Sequence, residues 1–247
     1  MKDISMFTIR VLIESSIPLW YNPRMKRLHF LRFLILLPVL ILIAGCARFP
    51  DGTSTTTVRE ISFQIEFNGP INDNNFYFVP IDTAGGALGP TPVFPGFTTG
   101  EGWVTGSATH YVQYHQRQYT LFKITSLQPF IAEPAGVPVR STLPEFGGRV
   151  LNFTLDLNTI AAAGQSIDAN IITTDQPFDN VRFLDGLGPG GTDFLTIDIT
   201  NDRTVTNTDF GTLETAADVL DQNRQRQAPS PLINPLDIVD WRITVDI

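Results

Sequence analysis

Cysteine is almost absent from this chain of 247 residues. The one cysteine, Cys46, has no partner within the chain, so no internal disulfide can form. Stability must therefore come from a hydrophobic core. The residues that follow Cys46 are numerous enough to build one.

Positive charge is also scarce beyond Cys46. There, 23 Asp and Glu stand against 11 Lys and Arg, which leaves a net charge of −12, and Lys123 is the only lysine. An acidic surface of this kind repels nucleic acids and anionic lipid headgroups. We therefore expect no nucleic-acid partner and no attachment to a membrane through surface charge.

Common catalytic motifs are missing. The sequence contains no Gly-x-Ser-x-Gly elbow, no phosphate-binding P-loop and no His-Glu-x-x-His. His110 and His115 are five residues apart in a predicted strand, where side chains alternate between faces, so they point to opposite sides and do not predict a shared metal ion.

The N-terminal region is organised like a secretion signal. A basic segment at 25–32 precedes the apolar stretch Phe33 to Ala44, and the small residue Gly45 follows. Twelve residues span about 18 Å as a helix, whereas a bilayer requires about 20 residues. A cleaved signal is favoured, and an uncleaved membrane anchor is the alternative.

The four residues Ile43-Ala44-Gly45-Cys46 close this stretch, and they resemble the lipobox of bacterial lipoproteins. The resemblance implies cleavage between Gly45 and Cys46, a diacylglycerol thioether on Cys46 and a lipid-anchored mature chain in the bacterial cell envelope. Ala47 is not the Asp that marks inner-membrane retention in many lipoproteins. In a host with two membranes, the outer membrane is therefore favoured.

The expected organisation has three parts. Residues 1–45 form the signal peptide, with Met25 as an alternative start; residues 46–57 form a lipidated tether; residues 58–247 form one β-domain. The tether is rich in Pro, Gly, Ser and Thr, a composition typical of flexible linkers. The alternative is two smaller β-domains that meet near 144–148, where the charge balance changes.

The mature part predicts strands of period two. Residues 61–67 alternate apolar and polar side chains, and 76–81 follow after an Asn-rich turn, which predicts a hairpin. Further alternating segments are 153–157, 167–173, 195–199 and 241–247, the last with Trp241, Ile243, Val245 and Ile247 inward. We predict an all-β sandwich of about eight to ten mostly antiparallel strands. Helical spacing from Leu213 to Leu220 predicts one short helix, with Thr212 as its cap.

Aspartate recurs on the outward side of these strands, although it is a poor strand former. One interpretation is that carboxylates discourage pairing between strand edges of neighbouring molecules. The other is calcium binding, because calcium prefers oxygen ligands. The candidate ligands are Asp175, Asp179 and Asp185 in the loop 175–185, and Asp202 and Asp209 in the loop 201–209. Neither loop has EF-hand spacing.

Residues 83–101 predict a long loop rich in Gly and Pro. Loops of this length within a domain are uncommon and are often functional. Three aromatic residues in or beside this loop, Phe94, Phe97 and Trp103, are candidates for the rim of a ligand site. The alternative is that they fold back onto the core as a lid.

These patterns favour a non-enzymatic binding or structural domain whose partner is an envelope protein or a glycan. The alternative is an envelope glycan hydrolase that uses paired Asp carboxylates. A cleft holding two facing carboxylates beside Trp103 or Tyr114 would favour the hydrolase. A filled sandwich with flat faces would favour a non-enzymatic domain.

Overall fold

A computed structural model describes residues 58–85, 88–93, 102–160, 162, 164–178, 183–188, 191–210, 214 and 231–247. The signal peptide, Cys46, the tether up to residue 57, Phe94, Phe97, Asp179 and the predicted helix from Thr212 to Leu220, apart from Glu214, lie outside the described residues. Residues Thr55–Ile247 form one compact unit. Within the described ranges, no helix has the length and apolar character needed to cross a bilayer.

The described residues form fifteen strands. They are β1 (Glu60–Phe67), β2 (Phe76–Asp82), β3 (Pro90–Pro92), β4 (Val104–Gly106), β5 (His110–His115), β6 (Gln118–Leu127), β7 (Phe130–Gly136), β8 (Arg140–Thr142), β9 (Val150–Asp156), β10 (Ser166–Ala169), β11 (Ile172–Thr174), β12 (Leu184–Gly186), β13 (Leu195–Asp198), β14 (Arg203–Thr206) and β15 (Ile238–Asp246). A short 3₁₀ helix covers Asn207–Phe210. Strands outnumber the predicted eight to ten because many are only three or four residues long.

Two antiparallel sheets hold most of these strands. The first has the order β14-β15-β1-β9-β8, and the second has the order β12-β11-β2-β5-β6-β7, with β10 paired to β2 and β13 paired to β10. A separate pair joins β3, which lies within the predicted long loop, to β4, which follows that loop. The predicted all-β sandwich is confirmed.

The core lies between the two sheets. The predicted inward set of β1 is buried, with Phe63 stacked on Phe153 at a ring distance of 5.0 Å. Phe67 of the first sheet meets Tyr77 of the second edge to face at 5.0 Å. Because β1 pairs with both β9 and β15, strands from both sides of 144–148 belong to one sheet.

Three details of the predicted strands are wrong. Segments 61–67 and 76–81 do not form a hairpin, because β1 lies in one sheet and β2 in the other, and the loop between them crosses the core edge. The predicted strand 167–173 is split at Asn170 into β10 and β11, and its polar residues Asp168 and Asn170 are buried. Ile247 lies beyond β15 and is 38% exposed rather than inward.

All three recurring aspartates end their strands, at Asp156, Asp198 and Asp246, and two of them accept hydrogen bonds from the turn that follows. Asp156 accepts a hydrogen bond from the backbone N–H of Asn158, and Asp198 accepts one from that of Thr200, both at 2.8 Å. The Thr200 side chain and backbone, which donate to Asp198, lower the pKa of this carboxyl. Such turns give these aspartates a local structural role at the strand ends.

Candidate functional site

Four connections meet at one end of the sandwich. They are the β1–β2 loop, the β5–β6 turn, the β8–β9 loop and the segment before β15. Together they enclose an open cleft of about 780 Å³, lined by residues 70–74, Arg117, 144–147, Pro231, Asn234 and Pro235. Loop ends of a rigid sandwich are common places for binding sites.

Asp73 contacts two other polar side chains at this cleft. The Tyr114 hydroxyl donates to its Oδ1 at 2.5 Å, and Arg117 Nη1 lies 3.5 Å from its Oδ2. Burial and the nearby Asp73 carboxylate raise the pKa of Tyr114, which keeps this hydroxyl a donor. Asp73 is therefore held in one orientation by two donors, with its side chain 39% exposed.

The β5–β6 turn places Arg117 in the cleft. Gln116 and Arg117 have φ angles of 50° and 60°, in the left-handed region that two-residue hairpin turns require and that glycine or asparagine usually occupies. Each such residue costs about 1–2 kcal/mol. The turn directs Arg117 Nη2 to the carbonyl of Pro144 at 3.4 Å, so that Arg117 joins two rims of the cleft. Strain of this kind is frequent at functional sites.

Backbone hydrogen bonds fix the remaining rims. Gly69 N–H donates to Asn234 O, and Ile71 N–H donates to Gly148 O, both at 2.9 Å. A Cβ at Gly69 would lie 2.8 Å from the Cβ of Asn234, so this close approach requires glycine. The cleft is therefore preformed, which reduces the entropy cost of binding a ligand.

A pair of facing carboxylates lies outside the cleft, at the other end of β2. Asp82 and Asp168 face each other across β2 and β10, and they are 0% and 6% exposed. Asp82 accepts from the Ser107 hydroxyl at 2.8 Å, and Asp168 accepts from that of Thr196 at 2.7 Å. Because both groups are covered by protein, this pair is not accessible to a glycan.

The predicted rim residue Trp103 is only 1% exposed. Its ring stacks on Phe78 at 3.8 Å and meets Tyr111 at 5.0 Å, in an aromatic cluster on the outer face of the second sheet. Trp103 thus lies inside a second small core rather than on an open rim. Phe94 and Phe97, the other two rim candidates, lie outside the described residues.

The described calcium candidates serve as acceptors for backbone N–H groups. Asp175 accepts from Phe183, Asp185 from Ile238, Asp202 from Ile247 and Asp209 from Thr206, at 2.7–2.9 Å. Among the residues that the structure describes, no group of three or more His, Cys, Asp or Glu could hold a metal ion. Asp179 lies outside them, and calcium binding stays a prediction.

The two histidines point to opposite faces, as predicted. His110 lies beside Ile81 on the core side of the second sheet, whereas His115 stacks on Phe76 at 3.9 Å on the outer side. Burial, and to a lesser degree the charge of Lys123, lower the pKa of His110.

This lowered pKa predicts a loss of stability in mild acid. Because unfolded His110 binds a proton more readily than folded His110, its contribution to the free energy of unfolding is complete above about pH 6.5 and falls as the pH drops through the folded pKa. Urea unfolding at pH 7.5 and pH 5 should show a smaller acid loss for His110→Gln than for the wild type. His115→Gln is the control and should keep the wild-type loss; equal losses in all three proteins would contradict the assignment.

The chain matches no protein-family model, no curated protein and no solved structure. What the cleft binds must therefore be inferred from its own residues.

Sequence patterns did not identify Asp73, Arg117 or Phe146. The run 72–75 indicated only a turn, and Arg117 is 44 positions away from Asp73 along the chain. Their contact depends on the crossing of β1 and β2 between sheets, which alternation alone cannot predict. The clearest local indication of an unusual site is the pair Gln116-Arg117, because a two-residue turn between alternating strands usually contains glycine.

Proposed function

We propose that this protein is a lipid-anchored component of the bacterial cell envelope whose β-sandwich binds a ligand in the end cleft without catalysis. The structural observation that most supports this proposal is the direction in which β1 runs relative to the cleft. The chain enters the sandwich at Val58 and runs along β1 for eight residues, about 26 Å, before it reaches the cleft lining at Pro70. A tether at 46–57 would therefore join the domain at the end away from the cleft.

This arrangement suits a binding domain held at a membrane. With the lipid at Cys46 and the chain entering the domain at the end of β1 opposite the cleft, the anchor would leave the cleft free to meet other envelope components. Acyl chains contribute about 0.8 kcal/mol per buried methylene, and two or three of them make a lasting anchor. The net charge of −12 beyond Cys46, from 11 basic and 23 acidic residues, gives the surface itself no affinity for anionic lipid. The outer membrane is the proposed location in a host with two membranes.

The contacts of Asp73 favour binding over catalysis. A glycan hydrolase of the predicted kind needs two facing carboxylates, whereas Asp73 is oriented by contacts with Tyr114 and Arg117, which leaves its oxygens as fixed acceptors for a ligand. The buried pair Asp82 and Asp168 is closed to substrate. The hydrolase alternative retains one observation in its favour, because Glu145 lines the same cleft as Asp73.

Extraction of native membranes tests the proposed anchor. Concentrated salt screens surface charges, so it should leave the protein in the membrane, while detergent should release it. A lipid anchor predicts full retention in salt at both neutral and alkaline pH. Release by salt alone would contradict the proposal, and a peripheral protein known from the same membranes provides the control.

A further inference from the structure

Phe146 is the most exposed large apolar side chain of the cleft. Its relative exposure is 105%, and no described residue covers its ring. A fixed turn presents it: Gly148 N–H donates to Glu145 O at 2.9 Å, and Gly147 has a φ of 77°. Exposed aromatic rings beside polar groups are typical of recognition sites, because the ring offers a flat apolar face at low entropy cost.

The β8–β9 loop that carries Phe146 is held on both sides. Before it, the carbonyl of Pro144 accepts from Arg117 at 3.4 Å. After it, the carbonyl of Gly148 accepts from Ile71 N–H at 2.9 Å. The ring thus stands at a defined place on the rim of the cleft.

The polar groups of the cleft suit a ligand with many hydroxyls. Asp73 presents acceptors and Arg117 presents donors 3.5 Å apart, and a vicinal pair of hydroxyls can donate to the first and accept from the second. Asn72 and Asn74 are exposed on the same rim, and each amide offers both a donor and an acceptor. Apolar carbon faces of a sugar ring would pack against Phe146.

Charge excludes several other ligands. The cleft contains two carboxylates, Asp73 and Glu145, against the one guanidinium of Arg117, and the surrounding domain is acidic, so anionic ligands are repelled. A basic peptide gains little charge attraction at Asp73, because the guanidinium of Arg117 already compensates the charge of this carboxylate, while its oxygens can still accept from hydroxyls. A ligand that is neutral and carries many hydroxyls is not repelled by the acidic surface, and its binding does not depend on an uncompensated carboxylate.

The geometry points to a short neutral oligosaccharide segment as the ligand of this cleft, stacked on Phe146 and hydrogen-bonded to Asp73 and Arg117. This inference rests on the proposed function, which makes the cleft the binding site of the domain. The cleft volume of about 780 Å³ lies within the usual range for small ligands.

Calorimetric titration of the full mature protein in detergent tests the inference. The probes are neutral tetrasaccharides of glucose, of mannose and of N-acetylglucosamine, an anionic uronic-acid tetrasaccharide and a lysine-rich peptide. We expect at least one neutral probe to bind, and we expect Phe146→Ala to weaken it by about tenfold or more. Phe178→Ala is the matched control, because Phe178 is 72% exposed outside the cleft lining, and it should bind as the wild type does.

A second variant separates hydrogen bonding from folding. Arg117→Gly fits the left-handed turn better than arginine, so its melting temperature should stay level or rise while the affinity for the neutral probe falls by about tenfold. Phe146→Ala should likewise leave the melting temperature unchanged.

Each other outcome has a distinct meaning. Binding of no neutral probe, or binding that Phe146→Ala leaves unchanged, would overturn the inference. If only the lysine-rich peptide binds, and Phe146→Ala weakens it, the ligand class is wrong while the proposed binding function stands. If new reducing ends form from a bound probe and Glu145→Gln stops their formation, the proposed non-enzymatic function is itself wrong.

Discussion

Replacement of Cys46 by Ala is expected to abolish acylation completely and to leave the precursor uncut. Cys46 is the only thiol in the chain, so no other residue can accept the thioether that the lipobox resemblance implies. Incubation of growing cells with a labelled fatty acid should label the wild type and not the variant. On a gel, the variant should keep the size of the full precursor.

Ala47→Ser is the matched control for this variant. It changes the neighbouring residue and keeps the thiol, so label and cleavage should both be retained. A Cys46→Ala protein that is still cut at Gly45, or that still takes up the label, would show that residues 43–46 do not act as a lipobox.

Truncation of the inward isoleucines should have the largest effect on stability. Ile65, Ile197 and Ile243 are each 1% exposed and lie in three different strands. Their replacement by Ala removes buried methylenes and leaves cavities, at a cost of about 2–5 kcal/mol each in the free energy of unfolding. Urea denaturation of the mature protein would measure these losses.

The matched controls are on the outward side of strands in the same regions. Asp156→Asn, Asp198→Asn and Asp246→Asn should each change the free energy of unfolding by only about 0.5 kcal/mol. Asparagine keeps the side-chain oxygen that accepts from Asn158 and Thr200, so the turns after β9 and β13 should survive. Large losses at the aspartates with small losses at the isoleucines would show that the inward and outward faces of these strands are assigned the wrong way round.

Alternation of apolar and polar residues predicts strands correctly where one face of the strand is buried and the other is exposed to solvent. Residues 61–67 and 243–245 show this, because a period of two places every second side chain in the core. The outer face of the first sheet stays polar, with a hydrogen bond of 2.9 Å between the hydroxyls of Ser62 and Thr154. In such strands, the pattern of residues itself indicates which face is buried.

Strands buried on both faces could not be assigned in the same way. Asn170 appeared as an outward polar residue, yet it is 0% exposed. Its Nδ2 donates to the carbonyls of Pro90 and Asp193 at 2.8 Å, and its Oδ1 accepts from Leu187 N–H at 3.3 Å. These partners come from distant segments, so the position of Asn170 depends on tertiary structure that a local pattern does not contain.

The cleft escaped prediction for the same reason. Its four rims come from widely separated parts of the chain, and only the crossing from the first sheet to the second brings Asp73 beside Tyr114 and Arg117. Exposed Phe146 carries no periodic signal. The aromatic residues in and beside the loop 83–101 predict a ligand rim that includes Trp103, but Trp103 packs against Phe78 inside the fold.

Intact-mass spectrometry of the protein extracted from its own membranes tests the central proposal most directly. We predict a chain that begins at Cys46 and carries the added mass of two or three acyl chains, with fragmentation placing that mass on the first residue. A chain that retains residues before Cys46 and carries an unmodified thiol would contradict the lipid anchor.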